Sequence, residues 1–270
     1  MPELPEMETY RKLLSERVSG KEISRVTINR EKSINMESES FISKVQGARV
    51  QAIYRRAKHL IFKLSTGDSL LLHLMLGGWM YVGSENDQPK RTKQVILSFG
   101  EMELYFIGLR LGYLHLLSEA ELEKELSDLG PEPLNGHLSY TDWLDLIGDK
   151  KGRLKTTLLD QQFIAGIGNC YSDEICYGAR LMPTKRADTL DEGMQKDLYD
   201  AIQSVLQRAL GFGGYMDQPL YKGDTFTGGY NEQCFVYDRE GELCGRCGGT
   251  ICFEEVSSRK CFYCPGCQRN

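Results

Sequence analysis

No stretch of this chain is apolar for the roughly 18 residues that a membrane-spanning helix requires. MPELPE, the opening residues, has neither the basic n-region nor the apolar h-region of a secretory leader, so a cytoplasmic location is the expectation. No segment recurs at a period of roughly 20 to 50 residues, which sets aside solenoids and propellers, and there is no low-complexity tract. Positive charge is also short: the formal net charge of −5 does not advertise a nucleic-acid partner. A net sum can hide a basic face, however, and the basic residues cluster. Arg55, Arg56, Lys58 and His59 form one group, and Lys150, Lys151, Arg153 and Lys155 another. Each cluster reads equally well as solvated surface or as a phosphate-facing patch.

What remains is a chain of 270 residues, enough for two domains of ordinary size, each with its own core. After Pro5, Met7, Tyr10, Leu14 and Val18 fall at helical spacing, and Gly20 is a stop signal. The segments KEISRVTI, ARVQAIY, HLIFKLS, SLLLHLML, QVILSF and MELYFIG are short, β-branched or alternating. They predict an antiparallel sandwich or barrel beside the first helix, with a polar loop at SENDQPKRTK. Near residue 118 the pattern turns helical. Ser118 and Glu121 have capping-box spacing, with Gly130-Pro131 as the stop. Further helical patterns run through SYTDWLDLIG, LKTTLLDQ, NCYSDEICYGARL and EGMQKDLYDAIQSVLQRALG. A Gly-rich stretch, GFGGYMDQPLYKGDTFTGG, reads as a long loop, and loops of that length tend to be functional or disordered.

Six of the nine cysteines lie between positions 244 and 267. Cys244-x2-Cys247 and Cys264-x2-Cys267 are separated by sixteen residues that alternate like two strands and a turn. Four thiolates so paired suit one tetrahedral Zn²⁺, and a full set of protein ligands marks a structural ion without an open position. Cys234, Cys252 and Cys261 fall outside the pairs and are assigned to packing. Arg259, at the hairpin, is well placed to be held against a phosphate.

Pro2 is open to two readings. It is a helix-start residue, or, with Met1 removed, it carries a free secondary amine. An α-amino group titrates near pH 8, well below a lysine, so part of it is nucleophilic at neutral pH and can form an iminium. Glu3 stands beside it as a proton donor or acceptor.

MPELPE before a helix, RRAKHL near 55, LGPEPL near 129, GIGN at 166–169 and the four-cysteine ribbon occur here in this order. On these motifs the chain resembles the formamidopyrimidine-DNA glycosylase/endonuclease VIII family along essentially its whole length, and MPELPE resembles the formamidopyrimidine branch. The resemblance implies an α+β fold in two domains. A β-sandwich with a leading helix spans 1–117, a helical domain with a helix-two-turns-helix element spans 118–228, and the zinc-ribbon hairpin, 229–270, packs on the helical domain. It implies a bifunctional glycosylase and abasic-site lyase that removes oxidised purines by a Pro2 Schiff base with β,δ-elimination. Glu3 would move protons and Lys58 would contact phosphate and assist catalysis. Glu6 and Glu174 would be supporting carboxylates. His73, Asn169 and Arg259 would hold the backbone of damaged duplex DNA, register being set by phosphate contacts. The damaged nucleotide would be flipped out of the stack, and the 211–228 loop occupies the region that caps it. One structural zinc is the implied cofactor, and the absence of symmetry signals points to a monomer, nucleoid-associated when on DNA.

The void-filling wedge departs from the family pattern. In HLMLGG, Leu76 stands at the methionine position and Met75 is one residue early. In IGLRLG, Arg110 is kept but the aromatic becomes Leu111, and the Asp-Pro that stiffens the turn is missing. Leucine fills space but stacks on bases less well, at a cost of about 1–3 kcal/mol. Two hypotheses therefore stand: an active enzyme with altered lesion preference, or a non-catalytic relative that binds damaged or abasic DNA. A zinc-dependent interaction module explains the ribbon but not MPELPE.

Overall fold

The computed structural model describes every residue of the chain except Asn135 and His137. The described residues form two compact units, residues 1–127 with 212–229, and residues 128–211 with 230–270.

The first unit opens with helix α1, Leu4–Val18. Glu3 is its N-cap and Pro5 lies in its first turn, where a missing N–H costs nothing. Met7, Tyr10, Leu14 and Val18 are fully buried, as their spacing predicts. Strands β1 (Arg25–Ile28), β2 (Val50–Arg56), β3 (His59–Leu64), β4 (Ser69–His73), β5 (Trp79–Gly83), β6 (Lys93–Phe99), β7 (Met102–Ile107) and β8 (Tyr113–Leu117) follow, with helix α2 (Ser38–Val45) between β1 and β2. They make two four-stranded antiparallel sheets, ordered β1-β6-β7-β5 and β2-β3-β4-β8. Their inner faces share one core, in which Phe62 of one sheet meets Phe106 of the other edge-on at 6.4 Å. The closure is a sandwich, not a barrel.

Helix α3 (Glu119–Leu126) keeps the predicted Ser118–Glu121 capping box, but it ends at Ser127 rather than at Gly130-Pro131. Leu122 and Leu126 pack on Ile61, Leu71 and Leu117 of the second sheet. That apolar seam places α3 in the first unit, ten residues beyond the expected boundary at 117. Residues 212–229 also join the first unit. Leu220 enters its core, the Val82 N–H donates to the Leu220 carbonyl at 2.6 Å, and the Tyr10 hydroxyl donates to the Gln218 carbonyl at 3.1 Å.

The second unit contains α4 (Tyr140–Gly148), α5 (Leu154–Leu159), α6 (Asn169–Gly178) and α7 (Glu192–Gly211), then the hairpin of β9 (Cys252–Val256) and β10 (Arg259–Tyr263). The hairpin turn is Ser257-Ser258, both at positive φ (50° and 59°), the mirror-image turn whose twist suits a two-residue connection. Among the described residues no helix is long and apolar enough to cross a membrane.

Candidate functional site

In the first unit the chemistry-bearing residues sit on the start of α1, the β2–β3 turn and two loops at one end of the second sheet. Pro2 and Glu3 are buried. Glu3 and Glu6 form a reciprocal capping box, with the Glu3 N–H donating to Glu6 Oε2 at 2.8 Å. The other Glu6 oxygen accepts the Tyr215 N–H at 2.8 Å, and a Cβ on Gly214 would stand only 2.3 Å from it. Gly214 (φ +78°) is thus required on two counts, backbone conformation and clearance. Glu6 is therefore the clasp that joins the N-terminus to the 212–229 loop. Within that loop Asp224 accepts the Leu220, Phe226 and Thr227 N–H groups and the Thr227 hydroxyl. Burial raises its pKa, and these bonds more than offset the rise, holding the carboxyl below its usual range.

Lys58 is 5% exposed and lies in the two-residue turn between β2 and β3. Arg55 Nη1 donates to the Ala57 carbonyl at 3.2 Å, fixing a turn in which Ala57 takes φ +51°. Arg55 Nε also donates to Glu8 of α1 at 3.1 Å, so the elements carrying Pro2 and Lys58 are stitched together. Burial would raise the Glu8 pKa, but Arg11 and Arg55 hold it low. The first basic cluster is thus neither wholly solvated nor wholly free for phosphate.

HLMLGG does not continue as a strand. β4 ends at His73, and residues 74–78 turn back. Met75 takes φ +52° and is half-buried, whereas Leu76 is 68% exposed. Strand alternation therefore does not decide between them; the turn does, and it projects Leu76. On the neighbouring loop Arg110 is exposed and Leu111 is 65% exposed. The two loops touch backbone to backbone: a Cβ on Gly108 would lie 2.1 Å from the Gly77 carbonyl, and one on Gly112 would lie 2.4 Å from that of His73. An open cleft of about 310 Å³ between them is lined by Leu76, Arg91, Gln94 and Arg110 among others. His73 Nδ1 accepts the Met75 N–H at 3.1 Å, and its ring meets His59 edge-on at 4.4 Å. Burial, then the neighbouring His59 and Lys58, lower the His73 pKa to about 3, so it is a neutral hydrogen-bonding group near pH 7.

In the second unit, GIGN leads into α6, where Gly168 is the N-cap and Asn169 the first helical residue, half-buried. The Gln161 side chain clasps this loop, donating to the carbonyls of Leu159 and Ile167 and accepting the Gly166 N–H. LGPEPL lies beside it, with the Ala165 N–H on the Pro131 carbonyl at 3.0 Å. The positive end of a helix dipole, such as the start of α6, favours an anion. Arg259 is exposed beside the ribbon turn, opposite Val256.

Lys155, counted with the second basic cluster, is fully buried instead. It donates to Asp173 at 2.7 Å and to the Asn169 carbonyl at 2.9 Å, and Asp173 also accepts the Phe262 N–H at 3.0 Å. Burial pushes the Asp173 carboxyl up against the pull of these partners. This triad connects α5, α6 and β10, the elements bearing Asn169 and Arg259. Glu174 is likewise fully buried, its oxygens occupied by the N–H groups of Phe235, Val236 and Tyr237 at 2.8–3.0 Å. It holds the strap leading into the ribbon and is a structural post. Nothing in the local sequence distinguishes these buried ions from surface charges.

The sulfurs of Cys244, Cys247, Cys264 and Cys267 all lie within 4.8 Å of one another. Tetrahedral Zn–S bonds of about 2.3 Å separate sulfurs by about 3.8 Å, and the Cys244–Cys267 and Cys247–Cys264 pairs stand at 3.8 and 3.4 Å. A Cβ on Gly266 would approach Cys247 Sγ to 3.1 Å, so glycine gives the knuckle its clearance. The donor set fits a structural zinc. Cys234 and Cys261 are buried and Cys252 is half-buried, and none of the three joins the set.

Two family models match the chain: the formamidopyrimidine-DNA glycosylase N-terminal domain over residues 1–113, and the formamidopyrimidine-DNA glycosylase H2TH domain over 129–218. Together they define a DNA glycosylase class with a helix-two-turns-helix domain. The formamidopyrimidine-DNA glycosylase of Heliobacterium modesticaldum is 35% identical over the full length of both chains, and that of Desulfitobacterium hafniense is 33% identical over 99% of this chain and all of its own. Among solved structures, Lactococcus lactis Fpg in complex with abasic-site DNA superposes with a TM-score of 0.93 at 28% identity, covering 99% of this chain and 100% of that one. MutM in complex with carbocyclic 8-oxo-G containing DNA gives 0.91 at 29% identity, covering both chains fully. The chain belongs to the formamidopyrimidine-DNA glycosylase family.

Proposed function

We propose that the protein is a bifunctional DNA glycosylase and abasic-site lyase that removes oxidised purines of the formamidopyrimidine and 8-oxoguanine type from duplex DNA, acting as a monomer. The observation that carries this reading is the construction of the N-terminus. Pro2 and Glu3 lie buried at the head of α1, with the Glu3 amide fixed by Glu6 and the helix tied through Glu8 and Arg55 to the turn bearing Lys58. The relatives are named for formamidopyrimidine excision, and solved relatives hold Fapy-dG, abasic-site or 8-oxo-G analogue DNA.

Removal of Met1 frees the Pro2 amine. Its lone pair attacks C1′ of the flipped nucleotide as the glycosidic bond breaks, and the base leaves with a proton. Glu3 protonates the sugar ring oxygen, the ring opens, and the nitrogen becomes an iminium. This electron sink makes the C2′ proton acidic; its loss expels the 3′ phosphate, a second elimination expels the 5′ phosphate, and water releases the sugar remnant from Pro2. Lys58, His73, Asn169 and Arg259 hold the flanking phosphates. Leu76, Arg110 and Leu111 occupy the space that the nucleotide leaves. Cys244, Cys247, Cys264 and Cys267 would hold a zinc that orders the hairpin bearing Arg259 and would take no part in bond making.

The test is borohydride trapping on duplexes carrying 8-oxoguanine or an abasic site. Wild type is expected to form a covalent adduct that Pro2→Gly and a preparation retaining Met1 do not form. Tight binding to damaged duplex without any adduct would overturn the enzyme and leave a damage-binding relative.

A further inference from the structure

The turn that presents Arg110 and Leu111 lacks the Asp-Pro stiffening expected of it, yet its backbone is not loosely held. Arg30, between β1 and α2, reaches across to it. Its Nη1 donates to the Leu109 carbonyl at 3.3 Å and its Nη2 to the Arg110 carbonyl at 3.2 Å. Ser33, fully buried, donates its hydroxyl to the same Leu109 carbonyl at 3.2 Å and lies 3.3 Å from Arg30 Nη1. From the other side Gln94, 6% exposed, accepts the Leu109 N–H at 3.2 Å. Gln94 is itself placed by the N–H groups of Asn29 and Arg30, which donate to its carbonyl at 2.9 and 3.2 Å. Three side chains thus occupy both polar atoms of the Leu109 peptide and the carbonyl of Arg110.

We infer that Arg30, with Ser33 and Gln94, is a positioning residue for the wedge. It holds the 108–111 turn in the conformation that projects Arg110 and Leu111, replacing by side-chain hydrogen bonds the rigidity that a proline would supply. A proline fixes one φ angle; a guanidinium fork bonded to two successive carbonyls fixes the two peptide planes that flank Arg110 relative to each other. The fork has a further use here. Leu111 stacks on bases less well than an aromatic, so an already ordered tip retains wedge function where a floppy leucine would not. The close approach of Gly108 to the Gly77 carbonyl sets the loop bearing Leu76 directly against the braced turn.

This role rests on the proposed base-excision reading, and the experiment separates the two. Arg30→Ala and Arg30→Lys are compared with wild type, first by amide hydrogen exchange in the free protein. Exchange at Leu109 is expected to quicken about tenfold or more in Arg30→Ala, with Arg30→Lys, which retains the charge but not the fork, in between. Excision of 8-oxoguanine from duplex is then expected to fall about tenfold in Arg30→Ala, while strand cleavage at a preformed abasic site, where no base must be displaced, stays within about twofold. Unchanged exchange, or excision and abasic cleavage falling in parallel, overturns the brace. If wild type excises nothing, the enzyme reading fails, and the exchange arm still decides whether Arg30 orders the turn.

Discussion

Glu174 illustrates how a single buried charge is kept. Taking a carboxylate out of water is costly, and burial raises the Glu174 pKa, opposed by the N–H groups of Phe235, Val236 and Tyr237. Those amides all donate to this one carboxylate. Glu174→Ala would take away their shared acceptor at a fully buried position, and it is expected to lower the unfolding free energy by about 3 kcal/mol or more. Urea unfolding measures this, and a loss below about 1 kcal/mol would show that the strap finds other acceptors. Catalytic acids are commonly accessible to substrate; Glu174 has no accessible oxygen, and its importance lies in holding the chain that enters the ribbon. Lys155 and Asp173, the residue next to Glu174 on α6, follow the same logic. A Lys155→Met change removes one ion and orphans the other, a worse outcome than replacing both.

At the scale of elements, β3, β4 and β8 bring His59, His73, Tyr113 and His115 into one cluster: His59 Nε2 lies 3.3 Å from the Tyr113 hydroxyl, and Tyr113 stacks on His115 at 4.1 Å. Burial first, with Lys58 and Arg56 adding repulsion, lowers the His59 pKa to about 4; His73 falls to about 3 beside His59 and Lys58, and burial lowers His115 although Glu125 pulls the other way. The sign follows from linkage. The unfolded chain takes up protons on these rings as pH falls below about 6.5, while the folded chain does not. The stabilisation is therefore complete above pH 6.5 and is lost progressively as pH falls toward the folded values. The rings thus lower Tm between pH 6.5 and 5, a window in which ordinary carboxylates stay ionised. The raised Asp173 carboxyl acts in the opposite sense there by taking up a proton in the folded chain. His59→Phe should lessen the wild-type loss of Tm across the window. A slope unchanged by that substitution would place the titrating groups elsewhere. The elements themselves were unequally legible. Helices α1, α3 and α7 could be read because caps and apolar spacing agree over two turns or more. α2, β5 and β8 carry no such signal, since each is a short segment with no clear period. HLMLGG reads as strand because leucines and methionine score so whatever their φ; the positive φ of Met75 and Gly77 and the packing of Gly78 against the Leu74 carbonyl make it a turn.

For the whole molecule, a net charge of −5 must be reconciled with a polyanionic partner. The basic clusters in the sequence suggested two cationic patches, but Arg55 pairs with Glu8, Lys150 with Asp160, and Lys155 is sealed against Asp173. Sequence shows the number of charges in a run; only the fold shows which of them face inward. Of the residues proposed to touch DNA, Lys58, Arg110 and Arg259 are cationic, whereas Asn169 and neutral His73 accept or donate hydrogen bonds without releasing counterions. Each phosphate neutralised contributes about −0.9 to the slope of log affinity against log salt. A slope of about −2.7 is therefore expected on abasic-site duplex, so affinity should fall about 40-fold between 50 and 200 mM KCl. Arg259→Ala should reduce the slope by about one as well as weaken binding. A wild-type slope steeper than about −6 would require many more lysines and arginines on the duplex than these three. The acidic surface would then have to rearrange on binding, and the reading of few, well-placed cations would fail.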